Sequence, residues 1–364
     1  MRNVYFSAAA AACLAMSSPA LAHDAAAAPT VAKDHAPIGV MGDHMHKKGE
    51  VMFSYRFMRM QMEGSRIGTD PVSPEEIATT VPNQFFGAPM QPPTLRVVPL
   101  DMTMDMHMLG AMYGVTDWLT VMAMGQLVDN GMDHLTFQGG MGTSELGEFR
   151  TESFGFGDTR LSGLVRVFET RGGGARHHAH LNAGISIPTG STTETDDVLT
   201  PMNMRPTLRL PYPMQLGSGT FDLEPGVTYT GATDLFSWGA QYRATLRAGE
   251  NDEGYSLGDV HQATAWAQYG PANWISFSAR GAFRSQGRID GLDPVIVAPV
   301  QTANPDFQGG ERFDIGAGVN IAGQGGAVDG HRLAVEVLFP VYQDLNGPQL
   351  ETDWTLTVGW QKSF

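Results

Sequence analysis

Cysteine is almost missing from this sequence. Cys13 is the only one in 364 residues, and it falls within the first 22, so the rest of the chain depends on neither disulfides nor thiolate chemistry. Charge is scarce as well, at 17% of residues against a usual ~25%. What charge there is leans acidic, with 38 Asp and Glu against 23 Lys and Arg and a net charge of −15. Such a chain lacks the basic face that nucleic acid requires, and nucleic acid is excluded as a partner. Beyond the N-terminus there is no apolar run of about 18 residues, which excludes helical membrane spans. Also lacking are a Gly-rich phosphate loop, a Gly-x-Ser-x-Gly elbow and a His-Glu-x-x-His pair, so the chain reads as a non-enzyme. An outer-membrane lipolytic enzyme is a minor alternative, because Ser, His and Asp all occur in the candidate strands. Glycine, by contrast, is abundant at 44 residues. Few charges, much glycine and no apolar helix leave the transmembrane β-barrel as the membrane class to test.

The N-terminus implies export. Arg2 precedes a short apolar core from Ala8 to Ala15, and Pro19-Ala20-Leu21-Ala22 supplies a small-x-small cleavage site. Residues 1–22 therefore read as a signal peptide, residues 23–49 as a flexible periplasmic leader rich in Ala, Pro, Asp and His, and residues 50–364 as the barrel. The compartment expected is the outer membrane of a Gram-negative bacterium.

Along residues 50–364 the period is two, not 3.6. Phe236, Trp238, Ala240 and Tyr242 alternate with Ser237, Gln241 and Arg243; Ile275, Phe277 and Ala279 alternate with Ser276, Ser278 and Arg280. About twelve such strands can be counted, joined alternately by long polar links and tight turns, as in an up-and-down antiparallel barrel with short periplasmic turns and long outer loops. Tyr113-Gly-Val-Thr-Asp-Trp118 and Tyr269-Gly-Pro-Ala-Asn-Trp274 repeat an aromatic-flanked turn, which suits rings at the headgroup level. The final strand carries Trp360 and Phe364 on one face. This resembles the signal read by the barrel-assembly machinery, although Lys362 occupies a position on that face where the signal has an apolar residue; a lysine there can snorkel.

The chemistry-bearing residues are methionines, histidines and arginines. Sixteen of the 21 Met lie between Met41 and Met141. Thioethers are soft ligands that select Cu(I), and imidazole accepts Cu(II) and zinc. The metal candidates are Asp43, His44, Met45 and His46 before the first strand, then Met58, Met60, Asp105, His107, Met122, Met124 and His134. No cofactor is required, and a copper ion is the one that these residues admit. Alternation puts Met58, Met60, Met122 and Met124 in the lumen. On the strand 102–112 it assigns Met102, Met104, Met106, Met108 and Met112 to lipid, and Asp105 and His107 to the lumen. His178 and His180 form a second imidazole pair on a luminal face. Arg56, Arg160, Arg166, Arg243, Arg247, Arg280, Arg284 and Arg312, with Glu336, are also expected to line the lumen.

His35-Ala-Pro-Ile-Gly-Val-Met-Gly-Asp-His-Met-His46, Glu50 to Met60, Met104 to Asp117, Gly155-Phe-Gly-Asp-Thr-Arg160 and Gly184-Ile-Ser-Ile-Pro-Thr-Gly190 resemble a family of Gram-negative outer-membrane barrels of the MetA-pathway of phenol degradation type. The Met- and His-rich stretches also resemble copper-resistance outer-membrane proteins, whose Met-rich leaders are longer. The resemblance implies a porin-like channel for small solutes, aromatic or hydrophobic compounds among them, with outer-membrane lipid, the assembly machinery and a solute or copper ion as partners. Copper handling through the Met and His clusters is the alternative.

Overall fold

The computed structural model describes residues 31–172 and 174–364; the expected signal peptide and residues 23–30 lie outside them. No helix among the described residues is long and apolar enough to cross a membrane. The wall is instead a closed antiparallel barrel. Its strands are β1 (Val51–Gly68), β2 (Val97–Thr116), β3 (Leu119–Phe137), β5 (Thr159–Gly172), β6 (Ala175–Ile187), β7 (Asp222–Ala232), β8 (Phe236–Arg247), β9 (Val260–Ala272), β10 (Ile275–Gln286), β11 (Gly310–Ala322) and β12 (His331–Ser363). β4 (Glu145–Phe156) pairs only with the upper half of β3 and stands outside the ring. β12 has 33 residues and folds back: Arg332–Leu345 pairs with β11, while Leu350–Ser363 pairs with β1, both antiparallel. Eleven strands therefore cross the wall twelve times, and pairing of β1 with β12 closes it.

The expected alternation is the physical basis of this wall. Phe53, Leu109, Val121, Leu161, Leu223, Phe277, Ile315, Val335 and Phe339 are exposed on the outer face, forming the apolar belt that lipid covers. Trp118, Trp274, Tyr113 and Tyr269 flank the tight turns and are also exposed, as expected for an interfacial aromatic girdle. Lys362 reaches the carbonyl of Asp329 and lies over the Phe364 ring, so the lysine on the lipid face does bend to the interface. Belt, girdle and closed wall place the chain in the outer membrane.

β1, β2 and β3 have 18, 20 and 19 residues, where a span needs only about 9–11. Their upper halves therefore stand beyond the apolar belt. There the long links fold into a cap: Tyr212, Tyr255, Ile289, Ile296 and Val300 share one apolar cluster, and a short helix, α1 (Pro74–Thr80), packs Ile77 and Ala78 against Val98, Leu135 and Phe137.

The Gly-Phe-Gly-Asp and Pro-Thr-Gly stretches meet where β4 gives way to β5. Asp158 accepts from the Gly190 amide at 3.0 Å and from the Ser218 amide at 2.8 Å. A Cβ on Gly190 would lie 2.7 Å from Gly217 Cα. These short motifs thus brace a break in the strand.

Candidate functional site

The largest correction concerns the leader. Residues 31–49 were expected to be flexible and periplasmic, but they run up inside the barrel and fill its periplasmic half. The Pro, Gly and His residues of the segment concealed this, because it is held largely through its backbone, with Ala36 and Val40 packed on Trp266. Ala32 N–H donates to Asn273 O at 2.8 Å. Wall side chains then donate to the plug's carbonyls: Ser237 to Lys33, Gln268 to His35, Arg332 to Ala36, Arg56 to Ile38, Gln241 to Met41 and His180 to Gly42. Glu336 accepts from the Gly39 amide at 3.0 Å while forming a bidentate pair with Arg280 at 2.8 and 2.9 Å. These partners come from strands all round the wall, and each satisfies a backbone group that would otherwise be buried and unpaired.

Within the plug, Asp43 accepts from the Ala36 amide (2.8 Å) and from His44 Nδ1 (2.9 Å). His46 lies near Glu50, Nδ1 to Oε2 3.6 Å, and its backbone amide donates to Thr120 Oγ1 at 2.9 Å. Met45 turns away to pack with Met52, Met112 and Leu164. His35, which was not among the expected ligands, joins the cluster: its ring centroid is 4.6 Å from that of His44, and His46 lies 5.0 Å from His44. Its spacing from His44 gave no chelate signal in the sequence; only the bend of the plug brings the two together. Burial holds His35 and His46 well below the ordinary imidazole range, His46 down to about 3. Both are therefore neutral.

Beside and above the plug the lumen has two unlike walls. One is thioether. Met58 and Met60 face inward as expected, and so does the whole row Met102 to Met112, which had been assigned to lipid. Met52, Met102, Met108, Met112, Met124 and Met132 are buried. The register places them opposite one another: Met52 with Met112 and Met112 with Met122, Met58 with Met106, Met60 with Met104, Met62 with Met102 and Met102 with Met132. Asp105 and His107 consequently point outward. Asp105 pairs with Arg59, and His107 bonds to the Tyr55 hydroxyl at 2.8 Å. The alternation was sound but its sign was inverted, because at this height the outer face is no longer covered by lipid and can carry charge. His134 lies higher still, stacked on Phe149 at 4.7 Å beneath the cap, and takes no part in the cluster.

The other wall is ionic. Arg160 and Arg243 share Glu224, Arg247 holds Asp222, and Arg312 holds Asp314. Arg284 donates to Gln286 at 2.8 Å and pairs with no carboxylate among the described residues. Arg166 sits lower, paired with Glu169. Arg56 and Arg280 are engaged at the plug, Arg56 by the Ile38 carbonyl and Arg280 through Glu336.

No family model matches the chain, and no curated protein does. Among solved structures it is similar to the COG4313 outer membrane channel from Pseudomonas putida F1, with a TM-score of 0.57 and 12% identity over 89% of this chain and 99% of that one. The chain has the fold of an outer-membrane channel. Less similar in shape are a FadL homologue of Pseudomonas aeruginosa (TM-score 0.43, 8% identity, 92% and 98% covered) and the toluene transporter TodX of P. putida (0.40, 10%, 88% and 91%).

Proposed function

We propose that this barrel is a channel for small solutes with an apolar or aromatic body, closed at its periplasmic end by residues 31–49. The observation that carries this reading is the division of the lumen into a methionine wall on β1–β3 and an arginine wall on β5, β8, β10 and β11. A purely aqueous pore has no use for a row of thioethers. A polarisable, flexible surface adapts to varied apolar shapes, and guanidinium groups opposite it bind aromatic faces or orient a polar substituent.

The test is uptake into proteoliposomes, together with single-channel conductance. The parent should pass small aromatic solutes faster than sugars of equal mass, and Arg284→Ala should alter the selectivity. No passage of any solute by the parent, or by a variant lacking residues 31–46, would sink the reading.

The register of the methionines favours a second reading, a path for a soft ion such as Cu(I). Directly opposed residues on neighbouring strands have Cβ atoms about 4.5–5.5 Å apart, so sulfurs from β1, β2 and β3 can converge on one ion as sulfurs of a single strand cannot. Replacing Met58, Met60, Met122 and Met124 with Leu keeps volume and apolarity. If the quadruple variant binds Cu(I) as tightly as the parent, the methionines serve only as wall.

A further inference from the structure

We infer that the plug holds a site for one divalent transition-metal ion of the imidazole-preferring class, ligated by His35, His44 and His46 and oriented by Asp43. The site lies within the plug, beside the lower end of the methionine wall: Asp43 shares a small cavity with Met52, Met112, Met122 and Met124.

Three observations converge on it. Ligand atoms of His35, Asp43 and His44 lie within 4.8 Å of one another. His35 Nδ1, His44 Nε2 and His46 Nε2 are shut off from solvent and have no hydrogen-bond partner. Buried polar atoms are nearly always paired, and here three unpaired nitrogens belong to three rings, of which His44 touches both His35 and His46. Asp43 bonds the far nitrogen of His44, fixing its tautomer so that Nε2 is free. A carboxylate on the non-ligating nitrogen is the usual outer shell of a metal-bound histidine.

The donor set decides the ion. Three imidazoles suit Zn(II) and Cu(II), with Cu(II) the tighter. Met45 packs elsewhere, so no sulfur joins the ring to favour Cu(I). Metal–nitrogen bonds of about 2.0–2.1 Å put tetrahedral ligands about 3.3 Å apart, and the ligand atoms of His35, Asp43 and His44 already lie within 4.8 Å of one another. Arg56 and Arg332 stand nearby, but their guanidinium groups are held by the Ile38 and Ala36 carbonyls, and Asp43 supplies the local negative charge. Because His35 lies on the entering arm of the plug and His44 and His46 on the leaving arm, the ion would staple the two arms.

The experiment uses the full chain in detergent, without a histidine tag, stripped with chelator and titrated with Zn(II) or Cu(II). The expected result is one ion per chain, a Cu(II) electron-paramagnetic spectrum with coupling to three nitrogens, and slower amide exchange over residues 35–46 on loading. His35→Gln, His44→Gln and His46→Gln should each weaken binding at least tenfold. His177→Gln and His261→Gln, whose rings bond Tyr229 and Tyr242 on the outer face, should leave it unchanged. A parent that binds no more ion than the triple variant overturns the proposal. So does a Cu(II) spectrum of the parent with fewer than three nitrogen couplings, a result that depends on no variant's folding.

Discussion

Gly114 stands where the plug leaves the lumen and becomes wall. Its carbonyl accepts from the Gly49 amide at 2.8 Å, its own amide donates to Glu50 O at 2.9 Å, and a Cβ added to it would meet the Lys47 carbonyl oxygen at 1.9 Å. Gly114→Ala must therefore push residues 46–48 aside. The expected cost is about 1–3 kcal/mol, the usual range for overpacking, read as a lower temperature for the heat-modified gel shift. Glu336 is a second such point. Its side chain is 1% exposed and serves both Arg280 and the plug. Glu336→Ala strands a buried guanidinium, a loss of about 3–5 kcal/mol by comparison with other buried pairs. Faster amide exchange at Gly39 should accompany it, and unchanged exchange there would show that the plug does not depend on this contact. At this scale much was legible: the inward arginines followed from alternation alone. The sign of the methionine row did not, because methionine is at home in either lipid or core, and Asp105 and His107 beside it gave a misleading vote.

The strands and the plug differ in how they declare themselves. β8, β10 and β11 alternate because one face meets lipid and the other meets water, and that contrast is written into the residues. β1, β2 and β3 rise above the belt, so their outer faces change solvent part-way, and a single assignment of faces cannot hold along the whole length. The plug carries no periodic signal. It is buried largely by hydrogen bonds to its backbone, to which only a few apolar contacts, such as Ala36 and Val40 on Trp266, are added. A variant lacking residues 31–46 should keep the closed wall, since every strand-to-strand ladder is independent of the plug. Its single-channel conductance should rise several-fold over the parent. Equal conductance would mean that the cap of outer loops, not the plug, limits passage.

Taken as one body, the molecule is a hoop whose β1 and β12 come from opposite ends of the barrel sequence, with the plug running directly into β1. The position of the seam bears on the order of assembly. A hoop closed first would have to be threaded by the plug afterwards, past side chains that already fill the lumen. A sheet that curls around the plug needs only to wrap. Arg56, His180, Gln241, Gln268 and Arg332 reach the plug from strands spread around the circumference, so the plug can act as a mandrel that gathers distant strands and shortens the search for the last pairing. Closure between remote strands is entropically slow. Chains without residues 31–46 are therefore expected to reach the heat-resistant form more slowly than the parent, even where their finished walls are the same.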